Sequence, residues 1–502
     1  MEEAFALTAD PTPIELDASG LTIVAPGLIG TGRCHPRRIR GESRDFALAS
    51  TELERAIAEA GLDERHTLEL EAQTPTPAAG ASRGFGDVAD DELLLQVPLA
   101  RDEAALVLYT DEAGRISIHY GEVDAASPAL PTRAFGAHHR VRFRLRLRSG
   151  ISRQAGTSRG LLGSVVAKVI KVLVVKLLAV PAGQLVAGRV AAWEARARVA
   201  QGLHGGTSTQ LLEATPLPLA NPDLLQGGRA LLFIHGTTSS TAGAFAGLRQ
   251  NGDVLERLYA AYEGRVVGFN HHTMSVPVIA NARDLLAALA PAPGDYHFDI
   301  VCHSRGGLVA RALAHLDADT LPRPPGVNVR VGRIVFVATP NAGTPLADPE
   351  RLPGFVERLV NVVNLLPDSG LTIAAGALLS LAAAIVEAGL PKLPGLADQA
   401  PGSALQHALE PPPGGIDGFH AFASDYEPSG NLIDVVKNRA VDRIFEAVGN
   451  DLVVPTGGVA LTPYFELPAE RVFVFARERA VHHSLFFSQP EMGRLPVWLG
   501  VD

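Results

Sequence analysis

A buried apolar run that ends at a serine among small residues, then turns directly into a helix, leaves a chain few folds to adopt. Residues 298–316 read FDIVCHSRGGLVARALAHL. Phe298 to Cys302 has the continuous apolar character of a strand covered on both faces. A helix follows from near Gly307, carrying Leu308, Val309, Leu313 and Leu316. Small residues suit a strand-to-helix turn too tight for bulk, which exposes the Ser304 hydroxyl above the sheet. Gly306 fits the second glycine of G-x-S-x-G, whereas Cys302 stands in place of the first, so the turn is expected to open slightly. A tight turn with an incidental serine has the same local pattern. The order of the other motifs separates the two readings.

Five further apolar runs, ALLFIHG, RVVGFN, RIVFVATP, GFHAFAS and RVFVFA, alternate with helical stretches around this one. Such alternation predicts an α/β domain, a mostly parallel sheet with helices on both faces, over residues 206–502. Within it, residues 350–412 interrupt the alternation and are expected to form a helical cap. FVERLVNVVNLL and LTIAAGALLSLAAAIVEAGL there are apolar enough to line an apolar pocket or to fill an ordinary helical core. Ser369 to Val386 is uncharged for 18 residues, the length at which a membrane span becomes conceivable. Its serines and glycines, and its place between motifs of one domain, favour a lid helix.

Residues 1–155 read as an accessory region, β-rich from about residue 90, where LLLQVPL, AALVLYT and RISIHY are separated by turns. HRVRFRLRLR follows, and period two places Arg140, Arg142, Arg144, Arg146 and Arg148 on one strand face. Residues 156–205 are expected to be helical and amphipathic, because Lys168, Lys171 and Lys176 share one arc of a helical wheel over 161–180.

The strand ALLFIHG ends in His-Gly followed by TTSS. A loop of that kind supplies one backbone donor of an oxyanion hole, here Thr237; the other is the amide of Arg305, just after the serine. His235 is expected to be structural. Chain order in this architecture runs serine, acid, histidine. His482 and His483 alone follow the last strand through a short loop, and one of them is expected to take the Ser304 proton. His483 is preferred because SLFFS after it begins a packed turn; His482 remains the alternative. Asp425 ends the strand GFHAFAS, while Asp451 lies in GNDLVVPTGG. A triad acid must be buried against the imidazole, and the Val-Val anchor suits Asp451 better. His271 and His272 lack the carboxylate or cysteine spacing of a metal site and are expected to be loop residues.

LLFIHGTTSS, VCHSRGGLVAR, VATPNAGTPLA and GNDLVVP together resemble the bacterial α/β-hydrolases of the lipase/esterase type, including relatives of the GPI-inositol deacylase-like lipases. The resemblance spans about residues 225–490. It implies the α/β-hydrolase fold with Ser304 as nucleophile, Asp451 as acid, His483 as base and Thr237 and Arg305 as oxyanion donors. It further implies a carboxylic ester hydrolase acting through an acyl-enzyme on a small-molecule or lipid ester, with no metal or organic cofactor. A scaffold that has kept this fold for binding, and an amidase or acyltransferase with the same triad, are the competing functions.

Charge marks the part these motifs leave unexplained. The net charge of −10 conceals a tract, residues 125–193, with 12 Lys/Arg and no Asp or Glu, which leaves the rest at −22. The acidic total argues against nucleic acid as a partner. The Arg140–Arg148 strand and the 161–180 helix are expected either to meet an anionic membrane surface or to pair internally with acidic neighbours. Two cysteines, Cys34 and Cys302, make no disulfide framework. The acidic N-terminus has no secretory pattern, so the expected location is the cytoplasm, at most peripheral to a membrane.

Overall fold

Alternating apolar runs early in the chain pair as antiparallel strands. They are β1 (Glu3–Thr8), β2 (Ile14–Leu16), β3 (Leu21–Val24), β4 (Ile29–Pro36), β5 (Asp63–Gln73), β6 (Glu92–Leu99), β7 (Glu103–Thr110), β8 (Ile116–Tyr120), β9 (His139–Arg146) and β10 (Lys168–Lys176). The computed structural model describes residues 2–36, 57, 62–73, 92–100, 103–110, 116–121, 139–146, 168–176, 194, 200–213, 215–251, 253–347, 382, 393–409, 415–426, 449–479 and 481–501. The chain divides into two compact units, Met1–Val186 with Leu378–Pro391, and Ala187–Ala377 with Lys392–Asp502.

In the first unit one sheet has the order β1-β4-β5-β10-β7-β8 and a second the order β2-β3-β6-β9. The apolar positions of both sheets meet in one core: Ile23, Leu68, Leu95, Val107, Phe143, Leu145 and Val172 belong to a single buried cluster. On β9 the period-two reading is visible in the side chains. Phe143 and Leu145 are buried, while Arg140 and Arg142 are exposed. Arg140 donates to Thr22 Oγ1 at 2.7 Å, and Arg144 lies 3.5 Å from the Glu92 carboxylate on the neighbouring strand. Arg148 lies outside the described residues.

The helix expected over 161–180 is corrected where it is described. Lys168–Lys176 is a strand, paired on both sides by β5 and β7. Five of the nine residues in KVIKVLVVK are β-branched, stiff at χ1 and suited to a pleated surface. The lysine spacing that mimics a helical arc is accommodated otherwise: Lys168 is buried, and Lys171 donates to Glu64 Oε2 at 2.6 Å. A basic helix face is therefore absent at 168–176.

The second unit contains β11 (Gly202–Gly205), β12 (Arg229–Ile234), β13 (Val266–Asn270), β14 (Gly294–His303), β15 (Val327–Val337), β16 (Phe419–Ser424) and β17 (Val472–Phe475). Their order is β11-β13-β12-β14-β15-β16-β17, parallel throughout except for β11. Leu231, Phe233, Val301, Val335 and Phe422 point into a cluster with Leu258, Phe487 and Trp498. Alternation turns Leu232, Ile300 and Ile334 to the other face, where the Gly306–His315 helix packs on β12, β14 and β15. The chain leaves β12 for β13 on one side and returns to β14 on the other. That reversal opens a crevice at the carboxyl ends of β12 and β14, where ligands of open α/β sheets bind.

Of the expected cap, residues 393–409 are described and form two short helices, Pro394–Ala397 and Ala404–Ala408. The apolar runs at 355–366 and 371–390 otherwise lie outside the described residues. Among the described residues no helix is long and apolar enough to cross a membrane.

Candidate active site

Ser304 follows β14, the central strand of its sheet, and opens the Gly306–His315 helix. Its φ is +53°, a left-handed conformation that a side chain adopts only when its surroundings impose it. They do so here. The Ser304 amide donates to Val337 O at 2.8 Å, and Gly307 N returns to Ser304 O at 3.0 Å. A methyl on Gly306 would sit 2.6 Å from His235 O, and one on Gly236 would sit 2.6 Å from Ser304 Cβ. Cys302 does not open the turn. It remains in ladder register opposite Phe336, fully buried, with Sγ 3.4 Å from Val335 O, and burial pushes its thiol well up.

His483 Nδ1 lies 2.8 Å from Asp451 Oδ2, and both residues are buried. The turn from Asn450 to Pro455 bends this carboxylate inward, because Asp451 Oδ1 accepts from Val453 N at 2.9 Å and Val454 N at 2.7 Å. A second tie runs from His483 N to Asp451 O at 3.1 Å. With Nδ1–H donated to the carboxylate, Nε2 carries the free lone pair. Asp425 sits elsewhere. Its Oδ2 is 3.3 Å from Arg477 Nε, and its side chain is 31% exposed. His482 Nδ1 faces Ser484 Oγ at 3.1 Å, and burial lowers its pKa to about 4.

His303, the residue before Ser304, joins the two halves. Its Nε2 donates to His483 O at 2.9 Å, and the two rings are 4.7 Å apart. Burial, then the neighbouring His483, depresses its pKa to about 3, so its ring is a neutral, permanent donor.

Beyond β12, Gly236 rests against Ser304 and leads into Thr237 and Thr238. Among the described residues the amides of Thr237 and Arg305 donate no hydrogen bond. Thr238 is left-handed, φ +55°, and its amide donates to Thr273 Oγ1 at 3.0 Å. Gln399 Nε2 reaches Thr237 Oγ1 at 3.2 Å and Gly395 O at 3.1 Å. The buried Arg305 guanidinium donates to the same Gly395 carbonyl at 3.1 Å and to Val276 O and Asn281 Oδ1 at 2.7 and 2.8 Å. Burial lowers its pKa to about 10, which leaves it charged near neutrality.

Glu194 is buried against the loop after β13. Its carboxylate accepts from Thr273 N at 2.6 Å, Met274 N and Ser275 N at 2.9 Å, Thr273 Oγ1 at 3.2 Å, and Ser275 Oγ. Burial alone would raise this carboxyl; the donors, led by Ser275, outweigh it and hold the pKa below its ordinary value. His235 is fully buried, with Nδ1 2.9 Å from Gly236 O and Nε2 accepting from His271 N at 3.1 Å. Burial depresses its pKa to about 4. Among the described residues, His, Cys, Asp and Glu form no group of three that could hold a metal ion.

The structure thus brings Asp451 and His483 together beside the strand that carries Ser304, and leaves Asp425 and His482 with other partners. Sequence reasoning missed His303, Gln399, Thr273 and Glu194. Only the last carries a visible signal: Glu194 is the acid that ends the acid-free tract 125–193.

The family described as "Domain of unknown function (DUF7379)" matches residues 206–500. Similar solved structures include lipases and esterases. Lipase 1 from Pelosinus fermentans is 14% identical over 52% of this chain and 93% of that chain, with a TM-score of 0.33. Esterase B from Lactobacillus rhamnosis is 17% identical over 63% and 93%, with a TM-score of 0.26. Naproxen esterase (carboxylesterase NP) from Bacillus subtilis is 12% identical over 55% and 85%, with a TM-score of 0.25. No curated protein matches the chain.

Proposed function

We propose that this chain, which belongs to the family described as Domain of unknown function (DUF7379), is a serine hydrolase that cleaves carboxylic esters. One observation carries the reading: a buried Asp451–His483 pair is tied through His303 to the left-handed residue Ser304 at the end of the central strand. In this reading Ser304 Oγ attacks the ester carbonyl while His483 Nε2 takes its proton. The amides of Thr237 and Arg305 receive the developing oxyanion. The tetrahedral intermediate collapses, the leaving alcohol takes the proton from His483, and an acyl group remains on Ser304. Water, deprotonated by His483, then attacks the acyl-enzyme and releases the acid and the free serine. Asp451 holds the Nδ1–H tautomer and stabilises the imidazolium. The lipase-type motifs point to esters with a hydrophobic acyl chain, in keeping with the kinship to GPI-inositol deacylase-like lipases that those motifs imply.

The test is turnover of p-nitrophenyl esters of increasing chain length, with fluorophosphonate labelling, for the wild type and Ser304→Ala. The wild type is expected to hydrolyse and to label, and the variant to do neither. Turnover by Ser304→Ala at the wild-type rate would refute the nucleophile. A wild type that neither hydrolyses esters nor labels would point to the binding protein instead.

A further inference from the structure

We infer that Glu194, which lies outside the family-matched segment 206–500, is a positioning residue for the oxyanion donor Thr237, acting through Thr273 and Thr238. The inference rests on the reading above, in which the Thr237 amide stabilises the oxyanion.

Three observations lead to it. First, Thr238 is held left-handed, a conformation that a threonine leaves unless something retains it. Its amide belongs to the peptide unit that begins at the Thr237 carbonyl, so whatever holds Thr238 N fixes Thr237 from its C-terminal side. On the other side Gly236 packs against Ser304. Second, the acceptor of Thr238 N is Thr273 Oγ1, a hydroxyl that in turn donates to Glu194. A hydroxyl rotates freely; donation to a carboxylate fixes its hydrogen and leaves a lone pair for the Thr238 amide. Third, Glu194 is itself gripped by the amides of Thr273, Met274 and Ser275 and by Ser275 Oγ. Charge-assisted bonds of this kind are the stronger ones, and a buried carboxylate with this many donors is placed by them.

The chain of contacts, carboxylate to hydroxyl to amide, therefore spans from a residue near the start of the second unit to the peptide adjoining the oxyanion donor. Thr273 lies in the loop after β13, so one carboxylate fastens that loop and, through it, the loop after β12. Its role is preorganisation: donors aimed at a developing charge help only if they need not reorient during reaction.

The experiment measures the rate and the final extent of Ser304 labelling by a fluorophosphonate, whose reaction also develops charge on a phosphoryl oxygen. The extent reports how much protein is folded; the rate constant reports how well the folded site reacts. Thr273→Val keeps the shape and removes the acceptor, and Thr273→Ser keeps the hydroxyl as a conservative rescue. Glu194→Gln places an amide –NH2 against backbone donors. Loss of a whole oxyanion donor slows reaction ~100–1,000-fold, so displacing one is expected to slow labelling by about tenfold or more. Thr273→Val and Glu194→Gln should show this slower rate, and Thr273→Ser should stay within about threefold of the wild type. Thr273→Val labelling at the wild-type rate overturns the inference, as does an equal slowing in Thr273→Val and Thr273→Ser. A reduced extent at unchanged rate shows a merely structural role and overturns it too. Ser304→Ala, run alongside, reports on the underlying reading: persistent labelling there, or a wild type that does not label, refutes the nucleophile itself.

Discussion

Gly236→Ala is the smallest change that tests whether the loop after β12 and Ser304 act as one assembly. The added Cβ would lie 2.6 Å from Ser304 Cβ, 3.0 Å from His303 O and 3.2 Å from Ser304 Oγ. Carbon atoms rest at about 3.5–4.0 Å, so the pair must separate by about 1 Å. Neither neighbour is the free end of a long side chain. Ser304 is held by the hydrogen bond its amide donates to Val337 O, so the loop should retreat and carry the Thr237 amide with it. Overpacking of this kind costs about 1–3 kcal/mol. A domain with a typical ~5–15 kcal/mol of stability remains folded after that loss. A misplacement of about 1 Å in a reacting geometry, by contrast, slows chemistry on the order of 100-fold. The expected signature is a melting temperature lowered by a few degrees with a far larger fall in Ser304 labelling and ester turnover. Gly457→Ala, where a methyl meets nothing within 4 Å, serves as the control and should match the wild type in both. Labelling by Gly236→Ala at the wild-type rate would refute the reasoning, and so would a loss of activity no larger than its loss of folded protein.

Three further outcomes are expected. Asp451→Asn should lower kcat by several orders of magnitude, since about 10,000-fold follows loss of a triad acid, while Asp425→Asn and His482→Ala retain most activity; equal effects of the two aspartates in p-nitrophenyl ester turnover would reverse the assignment. Burial holds His235 and His482 at about 4 and His303 at about 3, against an ordinary value of 6.5 for the exposed ring. Their pKa values are depressed on folding, so the stability they contribute is full above about 6.5 and is lost as pH falls toward 4, by at most about 1.4 kcal/mol per pH unit for each ring; urea midpoints should therefore be lower at pH 5 than at pH 7, and a higher midpoint at pH 5 contradicts this. Asp299 is fully buried and accepts from Arg229 Nε at 2.6 Å and from Tyr262 Oη and Arg333 N at 2.7 Å. Asp299→Ala should cost about 3 kcal/mol by stranding these donors, yet it sits five residues before Ser304, about 16 Å down the strand, so the labelling rate of the folded fraction should be unchanged, and a slowed rate would show coupling that the geometry does not contain.

What was legible in the sequence is what sterics and burial force into local composition. The apolar run at 298–302 must be a covered strand, and Gly306 must lack a side chain because His235 O stands 2.6 Å from where one would be. The α/β alternation is legible for the same reason. The segment 168–176 was not, because three lysines at helical spacing and five β-branched residues support opposite elements. Pairing on both edges by β5 and β7 decided it, and those partners lie about 60 and 100 residues away in the chain. The choice between Asp425 and Asp451 has a physical basis that a local reading only half captures. A carboxylate is aimed by the amides that hold it, and the amides of Val453 and Val454 aim Asp451 at His483, while Asp425 faces Arg477.

The same principle explains why Glu194 left so little trace in the sequence beyond ending the acid-free tract 125–193. Its partners are the backbone amides of Thr273, Met274 and Ser275 and two hydroxyls, about 80 residues along the chain. Every residue but proline carries an amide, so a carboxylate held mainly by amides leaves almost no trace in the composition of the segment it binds. A motif search finds residues whose side chains react and glycines where the chain must pass closely. It passes over the acids that hold the backbone donors in place, although preorganised donors account for much of what such a site achieves. In the proposed reading the reacting groups Ser304, Asp451 and His483 fall within residues 206–500, whereas Glu194, the carboxylate inferred to fasten their scaffold, falls before it. A fragment trimmed to the family-matched boundary would keep Ser304, Asp451 and His483 and lose Glu194 together with the edge strand β11. It should accordingly label more slowly per folded molecule than the full chain, even with the proposed triad residues intact.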